Sequence, residues 1–488
     1  FLPLLKTPTL KRFIGIKLKP CVNVRLRDLV FIVLSQSNTY HKQRAKEFNH
    51  HFHQQLRDTS QVDIIPLSLL VYQYFIAEKF KEKSWVIFVE EETRVDLSRL
   101  VDVLNKYDFK KEYFLGKALY DKSPTIIHHF AFFDDPGKFG YPDPAAGMCF
   151  SQGLLTSLGE RLATEDVKND FTIDYKHELA LYIRKDGEGV NLTNMEEFCT
   201  ISDASNCVTT SPFIFPKCGL PVSRNDIYVA VKTCEKFHKE RIPIVKATWG
   251  KENMDIEYFS ETEDSSIPTI DLGIPNTERG HCGKTLAIMK RFVEEEKLSS
   301  KQWLLIADDD TIINLKRLRR LLSCYNWKEN IALGERYGYA LKDGHGYDYI
   351  TGGGGMVFSR SVVKEITSQC NCPRNESPDD MILGMCLKRM KIPIIHSKYI
   401  HQARPEDYSS DFLSDQLPVS FHKHWMVDVY KVYDLLLEGD PAMRKKIVWL
   451  SDNRSKQFDE GDFSQSLTFY LYIRLVSSFP SISHPHIV

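Results

Sequence analysis

The sequence lacks any apolar run near the roughly 20 residues that a helix needs to cross a bilayer, so no segment of it reads as a membrane span. It also lacks an excess of charge. Lys and Arg number 64 against 65 Asp and Glu, a net charge of -1, which leaves no field to gather a polyanion and argues against nucleic-acid binding. Compositional bias is absent too: 42% hydrophobic and 26% charged residues match an ordinary folded, soluble body. The eleven cysteines show none of the paired C-x-x-C spacing of a zinc site. Disulfides and an oxidising compartment are the expectation that remains.

Cys199, Cys207 and Cys218 crowd one segment and Cys370, Cys372 and Cys386 another, which predicts local bridges, with one thiol left over from an odd total. Asn191-Leu-Thr193 and Asn453-Arg-Ser455 are glycosylation sequons; Asn375-Glu-Ser377 is a poorer one because Pro378 follows. The chain opens on Phe1, so a leader or a membrane association is expected only from upstream or from the first residues. There, Lys6, Lys11, Arg12, Lys17, Lys19, Arg25 and Arg27 stand without one acid.

A chain of 488 residues exceeds what one core usually organises, so two domains are expected. An internal repeat says where they lie. Trp85-Val-Ile-Phe-Val-Glu90-Glu91-Glu92-Thr93 and Trp303-Leu-Leu-Ile-Ala-Asp308-Asp309-Asp310-Thr311 align without a gap at a displacement of 218, and the match continues through Leu97/Leu315, Arg99/Arg317, Tyr107/Tyr325 and Leu115-Gly116/Leu333-Gly334. Gly147-Met-Cys-Phe-Ser151 answers Gly355-Met-Val-Phe-Ser359 at 208. Convergence on a strand, turn and helix would explain part of this; two copies of one domain explain all of it.

Leu29–Leu34, Trp85–Val89, Ile227–Val231 and Trp303–Ala307 read as buried strands, and Leu315–Leu322 as a helix. Their alternation predicts an α/β fold with a mostly parallel sheet, in which ligands gather beyond the carboxyl ends of the strands. The boundaries expected are a basic segment over 1–26, a non-catalytic domain over 27–215, a catalytic domain over 220–440 and a tail over 441–488. Ser211-Pro-Phe-Ile-Phe-Pro216 and Pro221 mark the break between the halves.

Asp308-Asp309-Asp310 closes an apolar strand, a costly arrangement unless water or a cation neutralises it. A solvated turn is the plainer use of an acidic triplet; the strand-end position favours a divalent ion that withdraws electrons from a leaving diphosphate. The first copy has Glu90-Glu91-Glu92 instead. Its longer arms displace the oxygens, which a metal site tolerates poorly, so that copy is expected to bind no nucleotide–metal pair. Thr351-Gly352-Gly353-Gly354-Gly355 would let backbone approach a sugar, although a flexible loop has the same composition. In Pro378-Asp379-Asp380 the first acid reads as a helix N-cap and Asp380 as the base that takes the acceptor's proton during inverting transfer. Phe421-His422-Lys423-His424 offers imidazoles to complete a coordination sphere, and the spacing does not choose between them.

Val229-Ala-Val-Lys232-Thr233, Phe237-His238, Thr248-Trp249, Gly280-His-Cys-Gly-Lys284, the aspartate triplet, Gly334-Glu-Arg-Tyr-Gly338, the glycine run, Pro378-Asp-Asp380 and Phe421-His-Lys-His424 together resemble the fringe-like β-1,3-glycosyltransferases. From about residue 27 to 440 the likeness is to the branch that glucosylates O-linked fucose on thrombospondin type 1 repeats. The resemblance implies two tandem GT-A (Rossmann-like) domains with the second catalytic, UDP-glucose as donor, Mn2+ as ion, a folded repeat bearing O-fucose as acceptor, and the endoplasmic reticulum lumen as location. It implies Asp310 and His424 as metal ligands and Asp380 as base. Asp308 and Asp309 would meet the nucleotide sugar, Lys232, Thr233 and Arg241 would lie near the UDP, and Gly353 and Gly354 would border the donor. Two departures stand out. The family closes on a Lys-Asp-Glu-Leu-type retention signal where this sequence reads Pro-His-Ile-Val488, and its basic opening has no family counterpart. The motifs alone leave open another UDP-sugar donor, a non-catalytic binder of folded repeats, and metal-dependent hydrolysis.

Overall fold

The computed structural model describes residues 24–439 apart from 56–62, 68–78, 165–170, 201–205, 212–214, 253–254, 342–345 and 425. The tail over 441–488, the sequon at Asn453 and nearly all of the basic segment lie outside the described residues. Among them, no helix is long and apolar enough to cross a membrane.

Two sheets dominate the fold. In the first, Leu29–Leu34 lies between Asp63–Leu67 and Trp85–Glu90, parallel to both. Met148–Ser151 then joins antiparallel to Trp85–Glu90, Phe114–Gly116 antiparallel to that, and Leu192–Asn194 parallel at the edge. The second sheet has the same order. Ile227–Lys232 lies between Asp255–Phe259 and Trp303–Asp308; Met356–Ser359, Ala332–Gly334 and Ile394–His396 follow with the same directions, and Thr269–Ile270 extends the far edge. Each sheet is thus mostly parallel with one reversed strand. A glycine in the left-handed region precedes each reversal, Gly147 at φ 85° and Gly355 at φ 97°.

The repeat extends to individual hydrogen bonds. Trp85 faces Ser151 as Trp303 faces Ser359. Ser151 Oγ donates to Lys111 O and Ser359 Oγ to Glu329 O, both at 2.7 Å. Thr93 Oγ1 accepts from Glu90 N and donates to Ala145 O; Thr311 Oγ1 accepts from Asp308 N and donates to Gly353 O. Asp96 caps helix Leu97–Leu104 as Asn314 caps Leu315–Leu322. Both strands of each central pair are buried on both faces, as parallel sheets require: Ile227, Val229 and Val231 enter one core, Tyr228 and Ala230 the other.

The two sheets meet at the carboxyl end of the first. Gln36 Oε1 accepts from His396 N (2.8 Å) while its Nε2 donates to His396 O (3.0 Å). Lys398 ion-pairs with Glu90 (2.8 Å) and Glu92 (3.6 Å), Arg44 with Glu92 (3.3 Å) and His41 with Glu91 (2.9 Å). A further sheet joins Phe171–Thr172 to the hairpin of Arg336–Tyr339 and Tyr347–Ile350. By their contacts, the residues up to Glu438 form one compact unit.

Among the described residues there are four disulfides. Cys199–Cys207 and Cys370–Cys386 are local, as the clustering predicts, whereas Cys218–Cys324 and Cys282–Cys372 span 106 and 90 residues. Cys218 and Cys372 pair outside their own clusters because folding, not sequence proximity, sets the distance between Cα atoms. Cys149 and Cys234 are free and buried. Cys21 lies outside the described residues.

Near the junction His128 is held between carboxylates, its Nδ1 2.6 Å from Asp121 and its Nε2 3.2 Å from Asp174, with Tyr141 donating to Asp121 and His177 stacked at 3.9 Å. Burial pushes the His128 pKa down, but the bonds to Asp121 and Asp174 outweigh it and hold it up at about 9. Burial and the adjacent imidazolium push His177 down to about 3.

A raised folded-state pKa stabilises fully below the unfolded value, about 6.5, and the benefit disappears as pH rises through about 9. The melting temperature is expected to fall across that window, with on the order of 3 kcal/mol at stake, and a His128→Asn variant should show a flatter profile from a lower start. A Cys282→Ala/Cys372→Ala variant should lose roughly 2–4 kcal/mol in denaturant unfolding.

Candidate functional site

Strand Trp303–Asp308 delivers the aspartate triplet at its carboxyl end, beside the end of the parallel strand Ile227–Lys232, in a register that sets Lys232 opposite Asp308. Three elements then converge on the acids. Lys232 Nζ, buried, lies 3.1 Å from Asp308 Oδ1 and 2.7 Å from Asp379 Oδ2. Burial pushes its pKa down, yet the two carboxylates override this and hold it well above the ordinary lysine value. Thr233 Oγ1 donates to Asp309 (2.7 Å), and Arg241 Nη1 reaches Asp309 (2.8 Å) and Asp310 (3.0 Å) while its guanidinium stacks 3.6 Å from the Phe237 ring centroid. Asp309 is nonetheless pushed up to about 6 by burial, which outweighs Arg241 and Thr233.

Strand Ser420–His422 runs antiparallel to Thr311–Ile313 with His422 opposite Thr311, so His422 Nε2 arrives 3.1 Å from Asp310 Oδ1. Asp308, Asp310 and His422 each offer a donor atom within 4.8 Å of the others. Asp310 is held well below the usual carboxylate range: burial opposes this, and His422 and Arg241 overcome it. The family resemblance implies His424 as the ligand, and of the two histidines it is His422 that stands within hydrogen-bond distance of Asp310. Backbone is the reason, because Lys423 takes φ 75° and donates its N–H to Asp310 O at 3.0 Å, turning the chain before His424.

Asp308, named as a nucleotide contact, stands inside this cluster. His424 has both ring nitrogens buried without a hydrogen-bond partner and is pushed down to about 4, chiefly by burial. Two carboxylates, one imidazole and an unpaired neutral imidazole nearby fit a divalent ion such as manganese in donor chemistry.

Helix Asp379–Arg389 presents the second pair of acids. Asp379 is not the cap; Pro378 occupies that position, and Asp379 sits in the first turn, buried, accepting from Lys232 Nζ and from Thr285 Oγ1 (2.6 Å). Burial raises it, and Lys232 and Thr285 bring it down to about 2. Asp380 differs: half-buried, it accepts from Met381 N (2.7 Å), and burial with the adjacent Asp379 charge pushes it up to about 7. Glu335 is also pushed up to about 7 by burial, but Tyr408 and the Gln402 N–H occupy it.

Gly353 is packed under a ring and Gly354 against backbone. A Cβ on Gly353 would stand 2.3 Å from the His422 ring, and one on Gly354 3.2 Å from His401 backbone, whereas one on Gly352 would meet nothing within 4 Å. The first two pack closely against His422 and the backbone beside it. Motif reading assigned no role to Lys284, whose Nζ donates to Thr233 O (2.7 Å), or to His281, which precedes it in Gly280-His-Cys-Gly-Lys284. A basic residue three past a histidine at a helix start was the only available signal.

In the first copy Glu90, Glu91 and Glu92 end in the ion pairs with Lys398, His41 and Arg44 described above, and they form no metal-competent cluster among the described residues.

A family model described as "Fringe-like" matches residues 49–175 and 222–455. The chain is 49% identical over 427 residues to mouse beta-1,3-glucosyltransferase, covering 84% of this chain and 86% of that one, and 49% identical to the human beta-1,3-glucosyltransferase, covering 84% and 85%. Zebrafish beta-1,3-N-acetylglucosaminyltransferase manic fringe is 28% identical over 205 residues, 37% of this chain and 57% of its own length. With a mixed α/β fold, an acid-rich strand end and relatives of this kind over most of its length, the chain belongs to the fringe-like glycosyltransferase family.

Proposed function

We propose that this chain is an inverting β-1,3-glucosyltransferase that moves glucose from UDP-glucose to O-linked fucose on a folded thrombospondin type 1 repeat. The 49% identity to beta-1,3-glucosyltransferases over 84% of the chain supports the donor and linkage. The observation that carries the mechanism is one carboxyl, Asp380, poised at about 7 beside a cluster of Asp308, Asp310 and His422.

Asp380 takes the proton of the acceptor hydroxyl as that oxygen bonds to the anomeric carbon; the bond from this carbon to the diphosphate oxygen breaks, and its electrons leave with UDP. A manganese ion held by Asp308, Asp310 and His422, with His424 adjacent, would supply charge stabilisation to the departing diphosphate. Arg241 and Thr233 fix Asp309 and Asp310, and Lys232 ties Asp308 to Asp379, so the triplet and the base keep one spacing. Residues 27–215 form a non-catalytic domain in this reading and 220–440 the catalytic one, each with its own sheet. Four disulfides and the exposed sequon Asn191 support a secretory location, the endoplasmic reticulum lumen.

Asp380→Asn should lower kcat by about 10²–10⁴-fold and change KM for UDP-glucose by less than about twofold, measured as sugar transfer to a fucosylated repeat. A base must be deprotonated, so kcat/KM should rise with pH through about 7 in the wild type, and a flat profile would remove Asp380 from the role. In manganese titrations followed by electron paramagnetic resonance, Asp310→Ala and His422→Ala should weaken binding by at least ~10-fold. Replacing Glu90, Glu91 and Glu92 together with Gln should leave manganese binding as it was.

A further inference from the structure

The first half reaches the edge of the transfer site through one strand. Thr172 pairs with Gly338 and Phe171 with Tyr339, and on the other side of that strand Tyr339 pairs with Tyr347. Residues directly opposite in antiparallel pairs share a face, so Phe171, Tyr339 and Tyr347 form a row across three strands. Their ring centroids are 5.1 Å and 5.7 Å apart. Tyr337 and Tyr349, two residues along, flank the row on the same face, with rings 6.1 Å apart.

Phe171 leaves 39% of its surface exposed, a large apolar side chain at the outer end. The inner end lies near the helix that carries Asp380. Helix Asp379–Arg389 packs on strand Tyr347–Ile350 so closely that a Cβ on Gly384 would stand 2.5 Å from Tyr349 Cβ, and Lys388 Nζ donates to Gly346 O at 2.5 Å. The Asp380 charge reaches both tyrosines: after burial and Tyr339 it helps hold Tyr347 at about 12, and after burial, ahead of Tyr347, it helps hold Tyr349 above the usual range.

We propose that Phe171 of the first half, with Tyr339 and Tyr347 of the second, forms the docking surface for the folded protein that carries the acceptor sugar. The inference rests on the transfer reading above and adds what the non-catalytic half does in it. The acceptor hydroxyl must come within hydrogen-bond reach of Asp380, so the protein bearing it must sit close to Asp380, and the aromatic row leads from Tyr347, which feels the Asp380 charge, out to the exposed Phe171. Tyrosine and phenylalanine offer large, rigid contact area at low entropic cost, which is why they concentrate in protein-binding patches. The occupant is therefore an apolar or cationic face of the acceptor domain next to its glycan.

The test compares two acceptors, a folded fucosylated repeat and a small free fucoside, with wild type, Phe171→Ala and Phe171→Tyr. Expected for Phe171→Ala is a KM for the repeat raised roughly five- to tenfold, the effect of removing a side chain worth more than about 1 kcal/mol, with a KM for the fucoside that moves little and a melting temperature near wild type. Phe171→Tyr should recover most of the affinity. Equal KM changes for both acceptors, no change for either, or a change in self-association in place of KM would each overturn the proposal. Failure of the wild type to glucosylate either acceptor would instead strike at the transferase reading itself.

Discussion

Carboxylates crowded at the end of a buried strand must be neutralised without being covered, and the placement of the surrounding elements follows from that. Water cannot do it alone, because Asp309 is buried and an unpaired buried charge is costly. Lys232 answers two acids at once, Asp308 from its neighbouring strand and Asp379 from a helix distant in sequence. That one ammonium ties the acids of the strand end to the acids that open helix Asp379–Arg389. Arg241 repeats the device with Asp309 and Asp310. The two carboxylates left with partial freedom, Asp310 and Asp380, end on opposite sides of the ordinary carboxylate range, one depressed by His422 and Arg241 and the other raised by burial and Asp379. A ligand for a cation and an acceptor for a proton need that separation.

The first half meets the same constraint with different partners. Its glutamates also close a strand, with the same threonine bond behind them, but Lys398 enters from the other half and Arg44 and His41 from a local helix. Side chains of the protein stand beside these acids, so the carboxyl end of the sheet joins the halves, and the joint brings Phe171 to the hairpin of Arg336–Tyr339 and Tyr347–Ile350. Disulfides act on the other side of the cleft: Cys282–Cys372 and Cys370–Cys386 bracket the segment that leads into Asp379 and Asp380, holding it against the helix that supplies Thr285.

Much of this was legible beforehand. The repeat predicted two sheets of one order, and Trp85/Trp303 and Ser151/Ser359 proved to be cross-strand partners in both. Helix Leu315–Leu322 lies where its periodicity places it. What the local pattern does not show has one cause. A cap is a local feature, while the partner of Asp379, Lys232, is 147 residues away. The two-residue spacing of His422 and His424 does not reveal the positive φ at Lys423 that sets His422 against Asp310. Nor does a run of glycines show that Gly353 and Gly354 pack against His422 and the backbone of His401.

By itself the sequence determined which strands are buried, that the chain is built twice, and that the acids closing the matching strand are glutamates in the first copy and aspartates in the second, because burial and side-chain length are properties of single residues and short periods. Tertiary structure alone decided which histidine meets Asp310, which lysine joins the two acid pairs, and which strand of the first half pairs with the second. Those depend on strand register and on the angle of one turn, where a shift of one residue moves a side chain to the opposite face, and no local pattern encodes such a choice.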